Sequence, residues 1–381
     1  MSEREMPYEL VTTNERLIEL LALYADEERY AFDTEFDNRR TYYARLALVQ
    51  IAWPSFIMLI DPFSVDVRLL EPLFNSDATA IAHASINDLT VLDQTLGVRP
   101  RRLFDTQVAA QLVGLRGTSL AFLASELLSL TLDKTEQTSD WTVRPLSAAA
   151  EIYAVNDVAH LFDIADELFS DLTALGRVTA FDEECDAVLA TTARETNPQQ
   201  SWWNLHNREQ IPRDDLLVVQ YLAAVREELA EMLNITRRYL VSDETLIAMG
   251  ASRPRSTQAI GRMLGRRVDE SFVGQFLQAI LDAEAGQGPA LELPGDERGD
   301  DLRALVSVLQ ALVWQTATTM SLEPSFLASK NDILARLAGR PSKLDRGWRN
   351  EVITAMIDAV TDGTFAVAWR DGALQLVELP D

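Results

Sequence analysis

The sequence predicts an α/β or α+β domain of about 190 residues followed by two helical modules. Three observations carry this reading. Strand-like segments rich in aliphatic, aromatic and β-branched residues crowd the first 61 positions. From about residue 66 the apolar residues fall at helical spacing. A stretch rich in Gly, Pro and acid, 286–301 (GQGPALELPGDERGDD), then separates the last part of the chain as a linker.

Residues 29–36 (RYAFDTEF), 44–52 (ARLALVQIA) and 56–61 (FIMLID) read as three strands joined by short polar or proline-containing turns, a meander that opens the fold. Helical spacing follows at 67–74, 87–96, 105–114, 119–129, 147–170 and 179–193, with one further short strand near 79–82. After a polar, aromatic connection at 194–214, the chain reads as helical from Asp214 to about Ala285, and again from Leu302 to about Asp362. At the end, FAVAWRDGALQLVEL alternates around Asp371-Gly372, a strong hairpin signal. The expected partition is therefore 1–193, 207–285, a linker at 286–301, and 302–381 with a C-terminal hairpin.

Composition excludes several classes. One cysteine, Cys185, forbids an intramolecular disulfide, and the opening MSEREMPYEL carries charges where a signal peptide needs an apolar core. The longest apolar runs fall far short of the roughly 20 residues of a membrane helix. These features lead us to expect a cytoplasmic protein with no membrane partner. No His/Cys cluster has zinc spacing and no glycine-rich phosphate loop is present, so no organic cofactor is expected. The net charge of −25 argues against a polyanionic partner, and most of it, −18, lies in residues 1–190. The stretch from Ile235 to Val268 departs from this, with seven arginines against Asp243 and Glu244. Such a run is either a solvated helical face or a basic contact surface.

Asp33 and Glu35 stand two apart in a predicted strand, so both carboxylates leave the same face, while Phe32, Thr34 and Phe36 leave the other. Two neighbouring carboxylates repel unless a proton or cation compensates them, and hard oxygen donors of this kind favour Mg²⁺ or Mn²⁺. Asp88 opens a helix, where an acid is equally suited to satisfying free backbone N–H groups. Tyr153 and Asp157, four apart, share one helix face.

In combination and order, these residues resemble the three exonuclease motifs of the DEDD superfamily in its tyrosine subgroup. The sister subgroup carries a histidine at the position of Ile152. The resemblance narrows further over LDKTEQTSDWTVRPLSAAAEIYAVNDVAHL, which looks like the signature of the ribonuclease D family. Its parts are Lys134 with Gln137, Ser139-Asp140-Trp141, Arg144-Pro145-Leu146 and then the Tyr153/Asp157 helix, with Phe104-Asp105-Thr106-Gln107 as the middle segment.

That resemblance implies a ribonuclease H-like exonuclease domain, a mixed sheet flanked by helices, followed by two all-α HRDC-like domains. It implies a 3′→5′ exoribonuclease that releases nucleoside 5′-monophosphates and trims 3′ extensions of tRNA precursors and other structured RNAs. Asp33, Glu35, Asp88 and Asp157 would hold two divalent ions, Mg²⁺ or Mn²⁺, about 4 Å apart. Tyr153 would position or help deprotonate the attacking water. His83, Lys134 and Arg144 are weaker substrate contacts, as are Arg237, Arg238, Arg262 and Arg266 in the region resembling an HRDC module. There the family's Trp-Arg pair is replaced by Ala224-Val225-Arg226. The expected partner is an RNA 3′ end, with protein partners unspecified. The alternatives are a 3′→5′ DNA exonuclease and a non-catalytic RNA-binding scaffold.

Overall fold

The computed structural model describes residues 6–132, 139–191, 197–265, 268–293 and 299–379. They form two compact units. One comprises residues 1–35, 46–192 and 295–381, and the other residues 36–45 and 193–294.

The first unit is built on a six-stranded sheet of order β1-β4-β3-β2-β5-β6. The strands are β1 (Tyr8–Val11), β2 (Arg29–Asp37), β3 (Arg45–Trp53), β4 (Phe56–Ile60), β5 (Thr79–Ala82) and β6 (Arg102–Asp105). The sheet is mixed. β3 and β4 pair antiparallel across the two-residue Pro54-Ser55 turn, whereas β1 with β4, β2 with β5, and β5 with β6 run parallel. β3 is buried along nearly its whole length, and its sequence is an apolar run interrupted by the buried Gln50.

The helices of the front domain are α1 (Asn14–Leu23), α2 (Glu71–Phe74), α3 (Ile86–Leu96), α4 (Thr106–Val113), α5 (Leu120–Leu128), α6 (Ala148–Ala159), α7 (Leu161–Ala174) and α8 (Val178–Ala190). α6 begins at Ser147, whose hydroxyl accepts from the N–H of Ala150. Its Ala150, Ala154 and Val158 pack on Ala31, Leu48 and Leu59 of the sheet. On the sheet's other face Tyr30, Phe32 and Phe74 form an aromatic cluster with ring centroids 5.8–6.4 Å apart. The predicted alternation of β2 is thus realised, with Ala31 towards α6 and Phe32 away from it.

β1 and α1, which precede residue 29, and β6 go beyond the elements expected from the sequence. Four-residue strands such as YELV and RLFD carry too little alternation to stand out among charged neighbours. The single helical run expected over 147–170 is two helices, broken at His160, which has non-helical φ −108° and ψ 0°.

The same unit ends with α14 (Gly299–Thr319), α15 (Pro324–Leu327), α16 (Lys330–Leu337), α17 (Gly347–Arg349), α18 (Ala355–Thr361) and the antiparallel hairpin β7 (Phe365–Arg370) and β8 (Ala373–Glu378). This region packs on the front domain. Glu183 and Glu184 of α8 accept from the backbone N–H and the indole Nε1–H of Trp348, each at 2.8 Å, and Glu184 also pairs with Arg349. Arg177 donates to the carbonyl of Met320 at 2.6 Å. Gly114, with φ +90°, lies so close to the carbonyl of Ser321 that any Cβ there would clash.

The second unit contains α9 (Leu216–Met232), α10 (Arg237–Leu240), α11 (Asp243–Ser252), α12 (Thr257–Leu264) and α13 (Glu270–Ala285), around a core that includes Trp202, Leu222, Met249, Ile260 and Phe276. The β2–β3 connection belongs to it. Tyr42 donates to Glu227 at 2.6 Å, and the N–H of Tyr43 donates to Asn234 at 3.0 Å. Residues 286–293, the first half of the expected linker, are fixed on α9. Tyr221 donates to the carbonyl of Pro289 at 2.9 Å, and Gln220 exchanges hydrogen bonds with Ala290 and Glu292. Among the described residues, no single helix is long and apolar enough to cross a membrane.

Candidate active site

β2 is buried at its start and opens at its end, and Asp33 and Glu35 leave the open end on the face that α6 covers. Asp157, in the last turn of α6, meets them there. Carboxylate oxygens of Asp33, Glu35 and Asp157 all lie within 4.8 Å of one another. Asp88 arrives from the first turn of α3 and is buried. It is clipped to β2 between the other two acids, because its Oδ1 accepts from both the N–H of Thr34 at 3.1 Å and the Thr34 hydroxyl.

These carboxylates push one another's proton affinities up. Asp33 is raised well above the usual range by burial and then by the charges of Asp88, Asp157 and Glu35. Burial, followed by Asp157 and Asp88, carries Glu35 to about 9. Asp157 rises to about 7, through burial and Asp88. Asp88 reaches only about 6, because the hydrogen bonds from Thr34 oppose burial. No ion pair among the described residues compensates any of the four. An all-oxygen donor set with unrelieved negative charge fits a hard divalent cation.

Tyr153 stands one turn before Asp157 on α6, half-buried, its ring tilted against Trp141 with centroids 5.9 Å apart. Burial raises its pKa, and the charges of Asp157, Glu35 and Asp33 raise it further. The phenol therefore keeps its proton at neutral pH.

Residues 8–173 match the family model of a 3′-5′ exonuclease, and residues 215–283 match that of the HRDC domain. Over 98% of its length the chain is 30% identical to ribonuclease D of Jannaschia, covering all of that protein. It is 32% identical to ribonuclease D of Acidiphilium cryptum, covering 97% of each. The chain belongs to the ribonuclease D family. Its fold agrees, since the crystal structure of Escherichia coli RNase D, described as an exoribonuclease involved in structured RNA processing, matches 94% of this chain and 99% of that one. The TM-score is 0.83, at 26% identity. The chain thus carries the family's 3′-5′ exonuclease domain, of a divalent-metal-dependent superfamily, followed by an HRDC domain.

Arg144 of the Arg-Pro-Leu element is fully engaged within the fold. Arg144 donates through Nε and Nη2 to both oxygens of buried Asp61, each at 2.9 Å. Its remaining N–H groups go to the carbonyls of Ala47, Trp141 and Val143, at 2.6–2.9 Å. All five donors are used and the plane stacks over Phe63, so the expected phosphate contact is corrected to a clamp between β3, β4 and the segment leading to α6. Burial would raise the Asp61 carboxyl, but Arg144 holds it below the usual range.

His83 is also tied to the fold. The Thr106 hydroxyl donates to the carbonyl of Ala82 at 3.1 Å, so His83 Nδ1–H donates to that hydroxyl at 2.9 Å and Nε2 is left as acceptor. Lys134 and Arg266 lie outside the described residues. Arg237 is engaged through two nitrogens by buried Glu227 and is corrected to a structural partner. Arg253 pairs with Asp215 at 2.7 Å, and Arg255 pairs with Glu284. Arg238 and Arg262 are exposed and carry no ion pair among the described residues.

Sequence reasoning missed two residues that hold the clustered carboxylates in place. Thr34 is one. Asp105 is the other, a buried carboxylate accepting from the N–H groups of Ala84, Ser85, Gln107 and Val108 and from the Ser85 hydroxyl, at 2.8–3.3 Å. It joins the start of α3, which carries Asp88, to the start of α4. An acid immediately before a helix was a visible capping signal, but its reach to residue 84 was not.

Proposed function

We propose that the chain hydrolyses RNA from the 3′ end and releases nucleoside 5′-monophosphates, with 3′ extensions of tRNA precursors as substrate and the cytoplasm as its compartment. The convergence of Asp33, Glu35 and Asp157 beneath Tyr153 carries this reading. Asp33, Glu35, Asp88 and Asp157 hold two divalent cations, Mg²⁺ or Mn²⁺. Bound there, such ions supply an activated water and stabilise the leaving 3′ oxygen. Thr34 fixes Asp88 Oδ1 and leaves Oδ2 for a cation. The Tyr153 hydroxyl, kept protonated, donates to the attacking water and orients it towards the phosphorus. Arg238 and Arg262, exposed and without an ion pair among the described residues, are the basic side chains assigned to the RNA backbone.

The test uses the full chain with a 3′-extended RNA and its DNA counterpart, in Mg²⁺, in Mn²⁺ and in chelator, beside Asp33→Ala. Stepwise shortening of RNA, lost in chelator and in the variant, is the expected result. Equal digestion of DNA would replace the reading with a DNA exonuclease. Binding of RNA without cleavage would replace it with a scaffold.

A further inference from the structure

The antiparallel hairpin of β7 and β8 is a two-stranded sheet in which no residue is buried, and Trp369 on β7 is 70% exposed. A sheet of two strands is marginal by itself. One of its edges is held. Gln315 of α14 donates to the carbonyl of Leu374 at 2.6 Å and accepts from its N–H at 2.5 Å, so the backbone groups of Leu374 point away from β7. Leu374 stands directly opposite Trp369, which therefore also turns its N–H and C=O outwards, towards the far edge. By alternation Val367 and Phe365 do the same. Thr364 has the opposite parity and points inwards, since its carbonyl accepts from the N–H of Leu379 at 2.9 Å.

Among the described residues that far edge has no strand beside it and no backbone hydrogen-bond partner. Edge strands are usually blunted by proline, lysine, a bulge or an inward charge, yet FAVAWR has none of these before Arg370. Its three outward-facing residues are self-complementary across a dyad. When two copies of β7 lie antiparallel about Val367, Val367 faces its own copy and Phe365 faces the partner's Trp369, twice over. No other antiparallel register uses all three outward residues of both strands. The charges at the ends match as well. Arg370 and Asp362 are exposed and form no ion pair among the described residues. The same register sets Arg370 opposite the partner's Thr364, two residues from the partner's Asp362, at each end of the pair.

We propose that β7 is a self-association edge, to which a second copy of this chain adds its own β7 to form one four-stranded antiparallel sheet closed at both ends by an Arg370–Asp362 ion pair. About six backbone hydrogen bonds join the copies, two at each of the three facing pairs. The interface is small, so the dimer is weak and forms with rising concentration. This goes beyond the exoribonuclease reading and does not depend on it.

Sedimentation equilibrium of the full chain over a wide range of concentrations tests it, with hydrogen exchange read on the same samples. The parent should dimerise, and the amides of Phe365, Val367 and Trp369 should become protected as it does. Val367→Pro leaves the hairpin ladder intact, because that N–H faces outwards, but removes two of the bonds between copies. It should weaken the dimer about thirtyfold. Val367→Thr should dimerise nearly as well as the parent. Arg370→Asp and Asp362→Arg should each weaken the dimer about tenfold, because each symmetric dimer then holds two like-charge contacts. An equimolar mixture of these two variants should regain the parent's affinity, since every introduced charge then meets its opposite. Thermal melts check that each variant is folded, and recovery in the mixture shows the same for the charge pair.

A parent that is monomeric at every concentration overturns the proposal, as does a dimer that Val367→Pro leaves unchanged. Weakening in both charge variants without recovery in the mixture overturns it too, because the register is then wrong. Protection of the three amides in a sample that sediments with one copy of the chain would put a different extended segment on the edge and overturn the second copy as its occupant.

Discussion

Two groups of buried carboxylates sit in the same front domain and differ in one respect. Asp61 and Asp105 are saturated, the first by the bidentate guanidinium of Arg144 and the second by five donors at the starts of α3 and α4. Asp33, Glu35, Asp88 and Asp157 face one another, and only Asp88 has substantial hydrogen-bond relief. Burial alone therefore does not mark a catalytic acid. A carboxylate whose charge the fold has answered belongs to the framework, and a set the fold leaves unanswered is poised for cations from solution.

Breaking each group should have opposite consequences. Asp157→Asn should lower the rate of RNA hydrolysis about a thousandfold, measured by single-turnover gel assays, while the melting temperature holds or rises because a repulsion is gone. Arg144→Ala should instead destabilise the domain by about 3 kcal/mol in urea titrations, since it strands the buried Asp61 charge. A variant of Arg144 that kept full stability but lost RNA affinity would reverse its assignment.

Thr34→Val tests the hydroxyl bridge between β2 and Asp88, a proposed metal ligand. It keeps the shape, removes the hydroxyl that restrains Asp88, and should cost about tenfold in divalent-ion affinity or rate. Thr34→Ser should restore most of it. If the serine variant is as impaired as valine, the hydroxyl is not what matters.

The smallest expected effect is in pH. Glu35, Asp157 and Asp88 titrate in the folded protein at about 9, 7 and 6, above their ordinary values of 4.5, 3.8 and 3.8. Between those limits the folded state binds more protons than the unfolded one, so without metal the stability falls as pH rises from about 4 to 9. Divalent ions relieve the same repulsion. The rise in melting temperature on adding Mn²⁺ should therefore be larger at pH 8 than at pH 5.5, and Asp157→Asn should reduce that difference.

The four acids and Tyr153 stood out through their resemblance, in combination and order, to the exonuclease motifs, and local periodicity supplied only which of them share a face. Alternation along β2 puts Asp33 and Glu35 on one face, and a helical turn puts Tyr153 over Asp157. Arg144 was misread for the opposite reason. Its partner Asp61 lies 83 positions away, and nothing local to a guanidinium says whether an acid waits for it across the fold. Arg237 repeats the case, since a basic run reads the same whether its charges are spent on Glu227 or offered to solvent. Nothing local to α8 marks Glu183 and Glu184 as the partners of Trp348 and Arg349, which stand more than 160 positions away.

What the sequence determined by itself was the chemistry available, meaning which residue types stand in which order and on which faces of their own strands and helices. That information is short-range, because backbone geometry repeats every two residues or every 3.6. Only the tertiary structure decided which charges are answered and which are left over. It brought Asp33, Glu35 and Asp157 within 4.8 Å, took Arg144 and Arg237 out of the supply of free cations, and left Arg238 without an ion pair among the described residues. The electrostatic energy of a site depends on distance and burial, and neither is encoded in spacing along the chain.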